Sequence, residues 1–328
     1  MQGGGTTQFA SVVLNVLAAR RLAHADTPTE AYAPPVLDYV VSGSWSAKAF
    51  AEAQRLALGP TPLFTPRIAA TSKPEKYTSL PASYDFTPGA ALAFYCENET
   101  INGDEFAGGP GEAAFPFDQV PQGTVLVADY SSSFLSRPIP NIAQHGIIYA
   151  GAQKNLGPSG VTVVIVRRDL LVDCAAAMQL GGVPAVPIQS EYKTLADNGS
   201  LYNTPPVFPI YVSALVLKHL VKAGGLEAVA KVNKAKADAL YASLDAAEAK
   251  GALTCVVRQK AARSWMNVPF NVNNDREAEF LAGAEARGFR QLKGHRSVGG
   301  IRASIYNAVT LESVKALCAY IDEFAGSA

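Results

Sequence analysis

The sequence predicts an α/β fold: a large unit built as three α/β/α layers on a mostly parallel sheet, and a small α+β unit at the C-terminal end. Three observations carry this. Apolar runs recur at 36–41, 91–96, 124–128, 146–150 and 161–167, most without polar alternation, as expected of strands covered on both faces. Helical periodicity appears before, between and after them. At 328 residues, 48% hydrophobic and 17% charged, the chain is long and apolar enough to bury one large core and a second, smaller one.

The elements follow in order. Phe9, Val12, Val13, Val16 and Leu17 recur at helical spacing over 7–19, after a polar start and the run Gly3-Gly4-Gly5. The strand at 36–41 ends in the turn Ser42-Gly43-Ser44, and 47–58 reads as a helix, giving a β-loop-α unit. Residues 59–89, rich in Pro, Ser and Thr, read as a surface excursion with room for one short strand. The Pro-Gly-rich insert 108–122 reads as a loop between strands. Periodicity returns at 208–223 and, after Gly224-Gly225, in a long amphipathic run to Lys250 suited to linking two units. From 253 the order is strand, strand, helix, strand, helix, with 266–272, 276–287, 302–306 and 311–324 as elements. The expected division is a large unit over 1–225, a linking helix over 226–250 and a small unit over 251–328.

Twenty-eight basic side chains balance 28 acidic ones, so no global field draws this chain to nucleic acid or an anionic membrane. Any anion must be bound locally. Cys96, Cys174, Cys255 and Cys318 form no C-x-x-C pair and no Cys-His cluster at zinc spacing, so reduced thiols and no metal are expected. No apolar run approaches the roughly 20 residues of a membrane-spanning helix, and the opening residues resemble neither a signal nor a transit peptide. The expected location is cytoplasmic.

Candidate chemistry lies in four places. In Tyr149-Ala150-Gly151-Ala152-Gln153-Lys154-Asn155-Leu156-Gly157 a single lysine sits among small residues in a turn joining two apolar strands. A lysine amine attacks a carbonyl only when neutral, and burial lowers its pKa, so Lys154 suits Schiff-base chemistry, with a solvated loop lysine as the alternative. Asp129 ends an apolar strand, where ligands gather in open α/β sheets. A carboxylate there can hold a pyridine ring cationic, or simply cap the next turn. Gly3-Gly4-Gly5-Thr6-Thr7 before a helix has the composition of a phosphate cup but lacks the lysine of a nucleotide-binding loop. Trp45, just after the 36–41 strand, is placed to stack on a planar ring or to fill the core.

Taken together with Cys96-Glu97-Asn98-Glu99-Thr100-Ile101, Asn203-Thr204-Pro205-Pro206, Met266-Asn267-Val268-Pro269-Phe270 and Lys293-Gly294-His295-Arg296, these segments resemble the phosphoserine aminotransferases over essentially the whole chain. The resemblance implies a fold-type-I homodimer dependent on pyridoxal 5'-phosphate. It implies conversion of 3-phosphohydroxypyruvate and glutamate into phosphoserine and 2-oxoglutarate, in serine biosynthesis. Lys154 would carry the cofactor and move the substrate's α-proton. Asp129 would pair with the pyridine nitrogen, Trp45 stack on the ring and Thr100 bond its oxygen. Gly5, Thr6 and Gln153 would hold the phosphate, joined by Asn203 and Thr204 from the partner subunit. Arg302 would bind the substrate α-carboxylate, and His295 and Arg296 the substrate phosphate or glutamate side chain, reaching across the dimer.

Two departures from the family pattern stand out. The family has several tens of residues ahead of the glycine run, including a His-Arg pair; the expectation is an N-terminally shortened chain, with a catalytically inactive relative that binds the cofactor or a partner subunit as the alternative. Another class V aminotransferase is a further alternative. Thr6 stands where bacterial members carry arginine, resembling eukaryotic members instead.

Overall fold

The computed structural model describes residues 1–296 and 299–326. Helix α1 (Gly4–Ala23) begins inside the glycine run, ahead of the expected start. Gly3 and Gly4 have φ of 94° and 61°, a left-handed region that glycine enters without penalty, and Gly4 N–H donates to Thr162 Oγ1 at 2.9 Å. The expected apolar face is buried, but so are Gln8, Ser11 and Asn15. They are covered by a later segment: Tyr192 Oη donates to Gln8, and Asn15 bonds the carbonyl of Ser190.

Strand β1 (Val36–Val41) follows as expected, helix α2 (Ser44–Leu56) starts three residues ahead of the expected 47–58, inside the expected turn, and strand β2 (Thr65–Thr71) is the short strand of the Pro/Ser/Thr-rich excursion. β3 (Leu92–Cys96), β4 (Val125–Asp129), β5 (His145–Gly151) and β6 (Thr162–Val166) complete a six-stranded sheet in the order β2-β1-β3-β4-β5-β6. Every pairing is parallel except β5 with β6. β1, β3, β4 and β5 therefore end on the same edge. The sheet core joins Val13, Leu17, Tyr39, Phe94, Val127 and Ile147 to α1 on one face and a second cluster around Tyr95, Phe106 and Phe115 on the other.

Short helices α3 (Cys174–Gln179) and α4 (Tyr192–Asp197) precede α5 (Val207–Lys222) and α6 (Gly225–Ala249). α5 buries only Ser213 and Leu220 and exposes Val207, Phe208, Ile210, Tyr211, Leu215 and Val221. Among the described residues, no single helix is long and apolar enough to cross a membrane.

The C-terminal part places β7 (Leu253–Cys255), β8 (Asn267–Val272), α7 (Glu277–Ala286), β9 (Ile301–Ser304) and α8 (Leu311–Gly326) around an antiparallel sheet ordered β7-β8-β9. Its core is separate: Leu240 and Leu244 of α6 pack with Phe270, Phe280, Ile301 and Ile321. β9 stops short of the expected Tyr306 because the chain turns under α6. There the buried Lys236 amine donates to the carbonyls of Ile305, Tyr306 and Val309 at 2.8–2.9 Å.

A polar seam joins the two parts. Asn307 donates its N–H to Asn155 Oδ1 at 2.9 Å and its amide to the Leu135 carbonyl at 2.9 Å. Asn233 of α6 bonds both Asn307 Oδ1 and the Ser136 carbonyl.

Candidate active site

The shared edge of the four parallel strands holds a cavity of about 140 Å³, lined by Gly3 to Thr6, Trp45, Cys96, Asn98, Thr100, Asp129, Ser131, Ser132, Gln153 and Lys154. Each strand contributes through the residues that follow it. β1 leads into α2 and Trp45, β3 into Thr100, and β5 into Lys154; Asp129 is the last residue of β4. The first turn of a helix leaves its N–H groups without intrahelical acceptors. In α1, Gly4 donates to Thr162 and Thr7 to the Gly3 carbonyl, so Gly5 and Thr6 present theirs, with the positive end of the helix dipole, toward the cavity they line. A Cβ built on Gly5 would stand 3.3 Å from Asp129 Oδ2, so a larger residue would crowd the carboxylate.

Lys154 is half-buried and donates from Nζ to Thr100 Oγ1 at 2.7 Å. Its amine lies 5.9 Å from the centre of the Trp45 ring. Burial lowers its pKa, opposed by Asp129, Cys96 and Glu99, while the nearby positive charge of Arg302 lowers it further. Asp129 is buried and its pKa is raised by desolvation, opposed by the Ser131 hydroxyl and by the Ser131 N–H that donates to Oδ1 at 2.8 Å. The Tyr149 hydroxyl, buried beside Asp129, also opposes the rise. Burial thus favours a neutral amine and penalises an uncompensated carboxylate, so the cavity offers a nucleophile at one wall and an unsatisfied demand for a cation at another.

Arg302, on β9, reaches from the small sheet: its Nη1 donates to the Thr100 carbonyl at 3.4 Å, and its buried Nε has no acceptor among the described residues. The buried Trp45 indole N–H likewise has no acceptor among the described residues. Such groups carry a cost until something bonds them. The structure thus brings Gly5, Thr6, Trp45, Thr100, Asp129, Gln153 and Lys154 around one cavity, with Arg302 beside it.

Four expected site residues are elsewhere. Asn203 and Thr204 are exposed, and Asn203 lines a groove of about 490 Å³ with Met1, Thr162, Tyr192 and Pro206. His295 and the exposed Arg296 sit on the loop before β9 and do not line the cavity. Missing from the expected set were Ser131, which accepts the Gly151 N–H at 3.1 Å and so ties the end of β5 to β4, and Asn98, which bonds Ser132 and Asn267. Both lie inside motifs already singled out, one or two residues from the expected ligand.

Residues 85–317 match the family model for class-V aminotransferases. The phosphoserine aminotransferase of Pseudomonas putida is 45% identical over 99% of this chain and 79% of its own length. The chain belongs to the phosphoserine aminotransferase family. Among solved structures, the phosphoserine aminotransferase from Bacillus circulans subsp. alkalophilus superposes with a TM-score of 0.83 at 40% identity, covering 100% of this chain and 80% of that one. The PLP-bound phosphoserine aminotransferase from Trichomonas vaginalis gives a TM-score of 0.80 at 34% identity, covering 98% and 80%. The likeness covers the whole chain, and membership in the family makes pyridoxal phosphate the cofactor.

Proposed function

We propose that this chain is a phosphoserine transaminase, interconverting 3-phosphohydroxypyruvate and L-glutamate with O-phospho-L-serine and 2-oxoglutarate in serine biosynthesis. The observation that carries the reading is the half-buried Lys154 amine, its pKa lowered by burial, bonded to Thr100 in a cavity that also holds the buried Asp129. The residues present fit the cofactor. A helix N-terminus with free N–H groups suits its phosphate, a buried carboxylate its ring nitrogen, an indole its ring face, and an amine of lowered pKa its aldehyde.

Bound there, pyridoxal phosphate supplies an aldehyde that condenses with amines and an electron-withdrawing ring that stabilises negative charge on the adjoining carbon. The protein's part is positioning and proton handling. Lys154 would hold the cofactor through its amine and, with its pKa lowered by burial, would serve as the base for the proton on the substrate α-carbon. Asp129, held by Ser131, keeps a positive charge opposite it. Trp45 holds the ring face, Thr100 its oxygen, and Gly5, Thr6 and Gln153 the phosphate. Arg302 offers a planar fork to the α-carboxylate, a task for which lysine is a poor substitute.

The remaining residues are assigned to a second subunit. Asn203 and Thr204 stand outside their own chain's cavity and next to α5, whose exposed apolar face suits association with another copy. We assign them to the partner's phosphate site, and His295 and Arg296 to substrate groups reached across the dimer. The separate C-terminal core supports a division into a large unit over 1–225, a linking helix over 226–250 and a small unit over 251–328, with Val257 and Ala262 reaching back into the cluster around Tyr95. Four free cysteines fit a reducing compartment, and the cytoplasm is the proposed one.

Purified protein with pyridoxal phosphate should show an absorbance band at the visible edge that glutamate bleaches. Lys154→Ala should lose the band; its retention sinks the assignment. Turnover of phosphoserine with 2-oxoglutarate above a free-cofactor control separates an enzyme from an inactive relative.

A further inference from the structure

The loop after β3 does more than line the cavity. Helix α2 starts at Ser44, and the residue in its N-cap position, Gly43, has no side chain to offer. The first N–H groups of the helix are satisfied instead by side chains more than 50 residues away. Asn102 Oδ1 accepts the Ser44 N–H at 2.9 Å and the Ser44 hydroxyl at 2.8 Å. Glu99 Oε2 accepts the Trp45 N–H at 2.8 Å, and its Oε1 accepts the Ser46 N–H at 2.7 Å and the Ser46 hydroxyl at 2.5 Å. Glu99 is fully buried, so these charge-assisted bonds are undiluted by water.

Gly43 shows that the arrangement is built around the carboxylate. Its φ of −169° is extended backbone open to any residue. Yet a Cβ there would lie 2.4 Å from both Cγ and Cδ of Glu99 and 2.7 Å from Oε2. The space a local cap would use is filled by the glutamate. The next residue in the loop is Thr100, whose hydroxyl accepts from Lys154 at 2.7 Å. One dipeptide thus holds the start of the Trp45 helix on one side and the amine on the other.

We propose that Glu99 is a positioning residue: by capping α2 across the sheet edge it sets the Trp45 indole over the cavity at its working distance from Lys154, and so controls how tightly the cofactor ring is held. The inference rests on the reading of the cavity as the cofactor site.

The test uses Trp45 itself as reporter. In a Trp265→Phe background, which leaves Trp45 as the sole tryptophan, quenching of indole emission is titrated with pyridoxal phosphate alongside thermal unfolding of the cofactor-free protein. Glu99→Ala should weaken half-saturation on the order of tenfold or more, the factor expected for loss of a charge-assisted bond, and reduce the quench at saturation. Glu99→Gln, which keeps a carbonyl acceptor, should recover part of both. Gly43→Ala should resemble Glu99→Ala by displacing the carboxylate, and the double variant Gly43→Ala/Glu99→Ala should be no worse than Glu99→Ala alone, because the collision is gone. Lowered unfolding temperatures with unchanged half-saturation and quench in all three single variants would reduce Glu99 to a helix cap and overturn the proposal. Absence of any quench in the parent would sink the cofactor reading and this inference with it, whereas a parent quench that the variants retain sinks the inference alone.

Discussion

Asp129→Asn separates catalysis from stability. The substitution keeps the shape of the side chain and the oxygen that accepts the Ser131 N–H; only the charge is lost. Burial raises the Asp129 pKa, so in the cofactor-free protein the folded state holds this proton more tightly than the unfolded one. Its contribution to stability is therefore present at low pH and fades as pH rises through the raised value. The amide has no such fade, so the cofactor-free variant should unfold at an equal or higher urea concentration at neutral pH and show a flatter pH dependence. With cofactor the sign reverses. A carboxylate about 4 Å from a ring cation, at an effective dielectric near 20, contributes roughly 4 kcal/mol, and its loss slows the chemical step by nearly three orders of magnitude. The assay is single-turnover transamination of phosphoserine beside urea unfolding with and without cofactor. A rate loss under tenfold, or a rate loss matched by a fall in the cofactor-free unfolding midpoint, would refute the reasoning.

Arg137 lies between two buried carboxylates, bonded to Glu105 at 2.6 Å and to Glu97, and burial pushes the Glu97 carboxyl up while the Arg137 charge opposes it. Arg137→Met should cost about 3–5 kcal/mol in urea unfolding at neutral pH, with much of it regained when Glu97→Gln and Glu105→Gln are added. Burial lowers the Lys236 pKa to about 8 from an ordinary 10.5. Between those values the unfolded chain holds a proton that the folded one has shed, so this residue makes stability rise with pH over that window; Lys236→Met should remove the rise in urea midpoints measured from pH 8 to 10. Phe208 is 70% exposed on α5, and Phe208→Asp should shift sedimentation toward the monomer and weaken cofactor retention, whereas an unchanged sedimentation coefficient would count against α5 as the contact face.

The strands were legible because a buried parallel strand is a short apolar run, and the runs at 91–96 and 124–128 end within a residue of β3 and β4. The early start of α1 was not legible, since three glycines carry no helical signal and the turn at Gly3 depends on Thr162, far along the chain. Helices α3 and α4, six residues each, were missed for a related reason. They are too short to show a period, and the Tyr192 segment is fixed by Gln8 and Asn15 of α1. Lys154 and Asp129 stood out because each is a lone ionisable residue beside an apolar run. Glu99 was visible as a letter in a motif and invisible as a cap, because its partners lie 53 and 54 residues away. For His295 and Arg296, and for Asn203 and Thr204, one chain cannot supply the geometry that the sequence resemblance implies.

The asparagine seam has a consequence for adapting this scaffold to other amino acids. Asn155 adjoins Lys154, the proposed cofactor lysine, and accepts from Asn307, which follows Arg302 by five residues. A tilt of the C-terminal part cannot move the Arg302 guanidinium without exchanging these amide bonds, which favours a few discrete settings of the proposed substrate gap over a graded one. Enlarging that gap for bulkier acids would begin at Asn233 and Asn307, leaving the cofactor's own contacts untouched.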